Sequence, residues 1–182
     1  MEDEKLLLKL ASKSIESEFD SNINFDKKNL LEQNPFLNEQ RASFVTLTLD
    51  NRLRGCIGSL VAHRSLLEDI LHNAKAAAFA DPRFNKLTKE EFEKTKIEIS
   101  LLSVPKALEY SDFKDLEEKL IPKVHGVILE LDGKRATFLP QVWEQLPTFN
   151  EFMVQLCKKA KLDPSKLRAL PKIQTYEAKK IK

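Results

Sequence analysis

The chain is poor in cysteine and glycine, with two cysteines and four glycines among 182 residues. Cys56 and Cys157 lie far apart in the sequence and do not suggest a disulfide framework. Two cysteines are also too few for a zinc ribbon or an iron–sulfur cluster. The three histidines lack the spacing that is typical of a metal site. We therefore expect reduced thiols, a cytoplasmic location and neither metal nor cofactor.

Long hydrophobic runs and an excess of one charge are also missing. No apolar run approaches the roughly 20 residues of a membrane-spanning helix, and the acidic first residues are unlike a secretory signal. The formal net charge is +2, with both signs interspersed. A nucleic-acid-binding protein more often concentrates its basic residues on one face. The charge thus gives little support to a nucleic-acid partner, and we expect no membrane association.

What the chain does contain is a mixture of helical and strand patterns. Helices are predicted over residues 4–19, 111–120 and 148–161, and from capping boxes that begin at Ser65 and Thr88. Strands are predicted over residues 43–49 and 96–104, and in two hairpins. This mixture predicts an α+β fold with a largely antiparallel sheet and flanking helices. At this length we expect a single domain, residues 1–182, with room for subdomains.

The second hairpin carries the sharpest local signal. Asp132-Gly133 is a typical two-residue type I′ turn. The resulting register pairs Leu131 with Lys134, Glu130 with Arg135, Leu129 with Ala136 and Val127 with Phe138. It places opposite charges across the strands and gathers most of the apolar residues on the other face.

The first hairpin contains the most unusual stretch, LRGCIGSL, in which residues 55–58 include two of the four glycines and one cysteine. In a regular strand Arg54, Cys56 and Gly58 share one face, while Gly55 leaves room for close packing on the other. A guanidinium beside a thiol favours the thiolate, as a nucleophilic or adduct-forming cysteine requires. The same residues also fit a buried structural cysteine and a strand bulge at glycine.

Two further polar groups are candidates for a site. Asp81 and Arg83 flank a proline, and they either form a rigid turn held by an ion pair or bind an anion through the arginine fork. Turn chemistry favours the structural interpretation. His125 opens the second hairpin and is the best candidate for proton transfer near neutral pH, although a histidine at a loop end is also typical of ordinary surface.

Four stretches, in order and at family-like spacing, resemble the AMMECR domain family: FVTLTLDNRLRGCIGSL, NAKAAAFADPRF, IEISLLS and HGVILELDGKRATFLPQVW. The resemblance runs from about residue 5 to about residue 178. LRGCIG is the family's hallmark and is intact here. Ser59 stands where threonine is common and Lys161 where glycine is frequent.

The resemblance implies two unequal subdomains, the larger formed by both termini, with the LRGCIG stretch in the cleft between them. Carried over residue by residue, it implies a cleft lined by Arg54, Gly55, Cys56, Gly58, Asp81, Arg83 and His125. It also implies that the chain is the A component of an AmmeMemoRadiSam system. Its partners there are a Memo-type protein, itself similar to non-haem iron dioxygenases, and a radical S-adenosylmethionine protein.

Three functional hypotheses remain, and the resemblance itself supplies no reaction. In the first, the chain is a thiol-centred enzyme or enzyme component acting on a small molecule or peptide, with Cys56 as nucleophile, Arg54 as its charge partner and His125 as acid or base. In the second, the chain is a non-catalytic binding module for the two partner proteins. Nucleic-acid binding ranks last, because it rests only on a slightly basic chain and a lysine-rich end.

Overall fold

The structure is a computed structural model that describes residues 2–182, and it contains two compact units. One comprises residues 2–102 with Lys179–Lys182, and the other Ser103–Ala178. The helices are α1 (Glu2–Glu16), α2 (Lys27–Gln33), α3 (Leu66–Phe79), α4 (Lys89–Phe92), α5 (Phe113–Lys119) and α6 (Phe149–Lys159). The strands are β1 (Ser43–Leu49), β2 (Arg52–Gly58), β3 (Lys96–Leu102), β4 (Lys106–Ala107), β5 (Gly126–Leu131), β6 (Lys134–Phe138), β7 (Lys172–Tyr176) and β8 (Ala178–Ile181). Short 3₁₀ helices span Pro35–Asn38, Pro140–Glu144 and Pro164–Ala169.

In the first unit, four strands lie in the order β2-β1-β3-β8, and β1 pairs antiparallel with β2 and β3. Helix α3 packs against β1 and β2, and α1 packs against α3. The inward side chains of β1, Val45 and Leu47, are fully buried with Ile70 of α3 and Leu10 of α1. Burial of such aliphatic side chains is the main stabilising contribution to a unit of this kind.

The capping residues set the helix starts as the sequence predicts. The Ser65 hydroxyl accepts a hydrogen bond from the Glu68 backbone N–H at the start of α3. Thr88 and Glu91 form a complete capping box, but α4 ends after one turn. The predicted first helix, 4–19, is observed at Glu2–Glu16, and α2 was not predicted. These differences lie at helix ends and in a segment without strong apolar periodicity.

The second unit contains a sheet in the order β4-β7-β5-β6, with β5 antiparallel to both β6 and β7. The predicted register of the β5–β6 hairpin is confirmed pair by pair. Asp132 and Gly133 both have positive φ, 51° and 72°, as a type I′ turn requires. Trp143 is buried and stacks on Phe152 of α6 with 3.8 Å between ring centroids, so this tryptophan belongs to the core.

The predicted fold class is therefore confirmed: helices flank sheets that are largely antiparallel. Between residues 2 and 182, none of the helices combines the length and the apolar character that crossing a bilayer demands.

Candidate functional site

The LRGCIG stretch forms β2, an edge strand interrupted by a bulge. The hairpin turn consists of Asp50 and Asn51, both with positive φ, and β2 begins at Arg52. Leu47 pairs with Gly55 but Thr48 pairs with Leu53, which leaves Arg54 as the extra residue. Strict alternation, from which a common face for Arg54 and Cys56 was predicted, does not continue through this bulge.

The two glycines of the stretch permit close approach on opposite faces of β2. A Cβ atom at Gly55 would overlap the backbone carbonyl of Ala77, so glycine lets α3 lie directly against the strand. At Gly58 a Cβ atom would meet the Phe44 ring and the Ser43 carbonyl. The concentration of glycine in this strand thus has a packing cause in both places.

Cys56 lies between these glycines and differs sharply from the other cysteine. It is partly exposed, and its Sγ shares a hydrogen bond of 3.2 Å with Oγ1 of Thr46, the residue directly opposite on β1. Cys157 is 1% exposed in the core of the second unit, and its burial raises the pKa of its thiol. The accessible thiol of the pair is therefore that of Cys56.

Asp81 and Arg83 close the free edge of β2 at Cys56. The Cys56 backbone N–H donates to Asp81 Oδ2 at 2.9 Å, and Arg83 Nη2 donates to the Cys56 carbonyl at 3.3 Å. The two side chains form a bidentate ion pair, with Arg83 Nε 3.0 Å from Asp81 Oδ1. Together they supply the hydrogen bonds that a neighbouring strand would give. The ion pair of the predicted rigid turn is thus present.

This arrangement also fixes the charge state of Asp81. The hydrogen bonds from the Arg83 side chain, aided by the backbone N–H groups of Cys56 and Arg83, hold the pKa of the Asp81 carboxyl well below its usual range against the opposing effect of burial. Asp81 is thus an anion whose role is to hold backbone and guanidinium groups.

Arg54 is held away from solvent by Glu91, which was not among the predicted site residues. Arg54 Nε and Nη2 donate to the two carboxylate oxygens of Glu91 at 3.0 and 2.8 Å, and this lowers the pKa of the Glu91 carboxyl. The Arg54 and Arg83 guanidinium groups lie 5.8 and 5.4 Å from the centroid of the Phe84 ring. Each guanidinium next to β2 therefore has its own carboxylate partner.

A buried carboxylate, Asp69 of α3, anchors the far end of β2. Asp69 Oδ2 accepts from the backbone N–H and the hydroxyl of Ser43, and Oδ1 accepts from the hydroxyl of Ser59 at 2.9 Å. Asn73 donates to the same carboxylate at 2.9 Å, and Arg64 forms an ion pair with it. Ser59 stands where threonine is common in the family that the sequence resembles, and it keeps the hydroxyl that this network uses.

His125 belongs to the second unit, in Ser103–Ala178, whereas the other predicted site residues belong to the first. Its Nδ1 accepts a hydrogen bond from the Ile121 backbone N–H at 3.1 Å, and its carbonyl accepts one from Trp143 Nε1 at 2.9 Å. The described contacts of His125 are thus within its own unit, and its predicted role stays a prediction, as does the predicted cleft.

In the first unit the structure groups Arg54, Gly55, Cys56, Gly58, Asp81 and Arg83 along one strand and its edge. Sequence reasoning missed Thr46 and Glu91. The pairing of Thr46 with Cys56 follows from the register of the hairpin, and Glu91 lies in the capping box that the sequence predicts at Thr88. Across residues 2–182, the structure contains no cluster of three histidine, cysteine or carboxylate side chains that suits a metal ion. The chemically distinctive groups are the Cys56 thiol, the Thr46 hydroxyl and two guanidinium groups, each paired with a carboxylate.

Comparison with known proteins identifies the family of this chain. The AMMECR1 family model matches residues 8–181. Protein MK0488 of Methanopyrus kandleri is 35% identical over 90% of this chain and 80% of its own length. Protein SSO0193 of Saccharolobus solfataricus is 35% identical over 88% and 72%. The crystal structure of protein PH0010 from Pyrococcus horikoshii matches with a TM-score of 0.81 at 28% identity, over 96% of this chain and 88% of that one. The predicted resemblance is confirmed, and the chain belongs to the AMMECR1 family.

Proposed function

We propose that this AMMECR1-family protein is a thiol-centred enzyme or enzyme component that acts on a small molecule or a peptide. Cys56 is the nucleophile or adduct site, Arg83 lies against its carbonyl, and Arg54, two residues earlier on β2, is its proposed charge partner. The observation that carries the proposal is the partly exposed Cys56 thiol, hydrogen-bonded to Thr46 on a strand whose backbone is clamped at that same residue. The two free cysteines of the chain also support the proposed cytoplasmic location.

The clamp supports a reactive role because it fixes the position of the sulfur. Asp81 holds the Cys56 N–H and Arg83 holds the Cys56 carbonyl, so the Cα–Cβ bond has one direction. Catalysis by a nucleophile depends on such positioning. A cysteine that served only as a small apolar core residue would need neither partial exposure nor a hydrogen bond at its sulfur.

The proposed reaction is acyl transfer through the thiol. The Cys56 sulfur forms a bond to a carbonyl carbon, and the bond from that carbon to its leaving group breaks, with the electron pair departing on the leaving group. The thiol proton is released to a base, and water later hydrolyses the thioester. Asp81 holds Nε and Nη2 of Arg83, but this side chain is 53% exposed, and its Nη1, which that ion pair does not use, is the group proposed to bind a carboxylate or phosphate on the substrate.

The first test is site-resolved alkylation of the folded protein with iodoacetamide, followed by peptide mass spectrometry. We expect Cys56 to react in the native state and Cys157, buried and with a raised pKa, to react only after unfolding. The same protein is then treated with p-nitrophenyl acetate. An acetyl group on Cys56, lost over time as acetate is released, is the expected result.

Two variants make this test specific. Cys56→Ser is the blank for the acetyl adduct, and Cys157→Ser is the matched control that keeps the proposed site intact. A Cys56 thiol that resists both reagents until the chain unfolds would overturn the proposal.

The alternative is a binding module for the proposed Memo-type and radical S-adenosylmethionine partners. Two exposed apolar residues favour it: Leu53, the first residue of the motif, and Val61 just beyond the strand, 44% and 54% exposed. Calorimetric titration with each purified partner tests it. If this surface is used, the double variant Leu53→Ser/Val61→Ser weakens binding, whereas Val104→Ser, an exposed site in the second unit, leaves binding unchanged.

A further inference from the structure

A cavity of about 560 Å³ lies in the first unit, away from the residues of the candidate site. Its walls come from the end of α1, the segment between α1 and α2, Arg64 just before α3, and the polar side of α3. Cavities of 300–1,000 Å³ are typical of sites for small molecules. None of the residues that line it belongs to β2 or to the clamp at its edge.

The walls are joined by helix geometry and a hydrogen bond. Glu68, Leu71, His72 and Lys75 follow one another at intervals that place them on one side of α3, while the opposite side of the helix packs into the core. The Ser14 hydroxyl of α1 donates to the Leu71 carbonyl at 2.7 Å. The two helices that border the cavity are therefore fixed to each other at its edge.

Arg64 is held at one nitrogen and free at the other two. Its Nε lies 3.3 Å from Oδ1 of Asp69, which is 1% exposed, and donates to His63 Nε2 at 3.1 Å. Between residues 2 and 182, no hydrogen bond uses Arg64 Nη1 or Nη2, and neither is a buried nitrogen. A guanidinium anchored in this way presents its terminal nitrogens to an incoming oxyanion.

Further cations line the same cavity. Lys27 and Lys75 lie in its wall with Arg64, and within the described chain Glu68 is the carboxylate that lines it with them. Lys27 Nζ is 3.9 Å from Glu68 Oε1, and both side chains are more than half exposed; Lys75 is paired with Glu18, outside the lining, at 2.6 Å. Because exposed ion pairs contribute little to stability, an anion in the cavity can take the place of Glu68 beside Lys27.

The cavity also has an apolar part. Phe25 and Leu71 line it, and both are partly buried against the core of the first unit. Partly exposed aromatic and aliphatic side chains of this kind pack against the organic part of a ligand. The exposed His72 adds a ring nitrogen at the rim that can donate or accept a hydrogen bond.

We infer that this cavity binds a small phosphate monoester with an apolar organic group, an inference that is independent of the proposed function. The terminal nitrogens of Arg64 and the Lys27 ammonium hold the phosphate, and Phe25 packs against the organic group. A phosphate group has three terminal oxygens and nearly two negative charges, which suits this number of donors better than a carboxylate with two oxygens and one charge.

The test is a titration of the ¹⁵N-labelled full chain with phenyl phosphate, followed by amide chemical shifts. We expect saturable shifts at residues around the cavity, including Phe25, Lys27 and Arg64, with a dissociation constant of about 1 mM or below for a probe of this size. Inorganic phosphate, which lacks the organic group, and benzoate, which lacks the phosphate, should each bind at least about threefold more weakly.

Substitutions assign the binding to the cavity. Arg64→Lys keeps a positive charge beside Asp69 but removes the fork, and it should weaken phenyl phosphate binding about tenfold. Lys27→Gln should weaken it about threefold. Lys28→Gln is the matched control, since Lys28 is adjacent in sequence, equally exposed to solvent on α2 and absent from the cavity wall; it leaves the affinity unchanged. Glu68→Gln removes the competing carboxylate and should tighten binding about twofold.

The contrary results are equally specific. Shifts that do not saturate, or that spread over exposed lysines across the chain, overturn the inference, as does an equal loss of affinity in Lys27→Gln and Lys28→Gln. Benzoate or inorganic phosphate that binds as tightly as phenyl phosphate overturns the assigned ligand class. Cys56→Ser should bind phenyl phosphate like the wild type, so that failure here leaves the proposed thiol chemistry standing.

Discussion

The turns of the β1–β2 and β5–β6 hairpins have the same local geometry, but the pairing of the strands that follow differs. Each turn has two consecutive residues with positive φ, Asp50-Asn51 in one and Asp132-Gly133 in the other. From its turn, the β5–β6 hairpin continues residue by residue without interruption. The β1–β2 hairpin instead shifts its register after Leu47, so that Arg54 has no opposite residue on β1.

The difference follows from what each hairpin must contact. The β5–β6 hairpin meets its own core through regular alternation, with Leu129 and Ala136 inside. The β1–β2 hairpin has α3 against its backbone at Gly55 and a side-chain clamp along its edge at Cys56. Bulges and glycines are typical of strands that serve such contacts. The irregular hairpin is also the one that carries the accessible thiol.

The largest effect is expected from adding a methyl group to the strand at Gly55. Its Cβ would overlap the Ala77 carbonyl, a backbone atom that cannot move aside without shifting α3. We expect Gly55→Ala to lower the free energy of unfolding by about 3 kcal/mol, at the upper end of overpacking effects. Urea unfolding followed by circular dichroism measures the change.

The matched substitution in the regular hairpin is Gly133→Ala. A Cβ there meets nothing within 4 Å, but φ is +72°, so only the backbone penalty of about 1–2 kcal/mol applies. Equal losses for the two variants would contradict the view that close packing, rather than backbone conformation, requires Gly55.

The next largest effect is expected at the edge clamp. Asp81→Asn removes the charge that Arg83 and the Cys56 N–H share, and we expect a loss of about 2 kcal/mol near neutral pH because a buried charge-assisted network is broken. The folded-state pKa of Asp81 lies below its unfolded value near 3.9. Its stabilisation is therefore complete above that value and is lost as the pH falls below it.

Urea titrations at several pH values check the sign. Between about pH 4 and pH 2 the wild type should lose more stability than Asp81→Asn, so the difference between their free energies of unfolding narrows on acidification. A difference that stays constant over this range would show that the Asp81 charge does not stabilise the fold.

The regular parts of the molecule were predictable because their determinants are local in sequence. Asp132-Gly133 sets the register of its hairpin, and Ser65 and Thr88 set the starts of their helices. The strand containing Cys56 was predicted as the second strand of a hairpin, and the packing role of Gly55 from its alternation in that strand.

The contacts that define the site were not predictable, because they join residues distant in the chain. Arg54 meets Glu91 37 residues later, and Asp81 meets Cys56 25 residues earlier. The bulge at Arg54 follows from these tertiary contacts rather than from strand propensity, so a rule of alternation does not reveal it.

The smallest effects are expected at the ion pairs beside the two hairpins. Arg54 is 12% exposed and bidentate with Glu91, whereas Lys166 and Asp132 are 55% and 60% exposed and lie 3.7 Å apart. We expect Glu91→Gln to cost about 1 kcal/mol, because one charge-assisted bond of the fork is lost while glutamine still serves the capping box. Lys166→Gln should change stability by less than about 0.5 kcal/mol, as is usual for exposed pairs. Added salt should increase the difference between the stability costs of the two substitutions, since screening weakens exposed ion pairs more than buried ones. If 1 M sodium chloride abolished the cost of Glu91→Gln, Arg54 would behave as an ordinary surface cation and not as the fixed charge partner that the proposed function gives to Cys56.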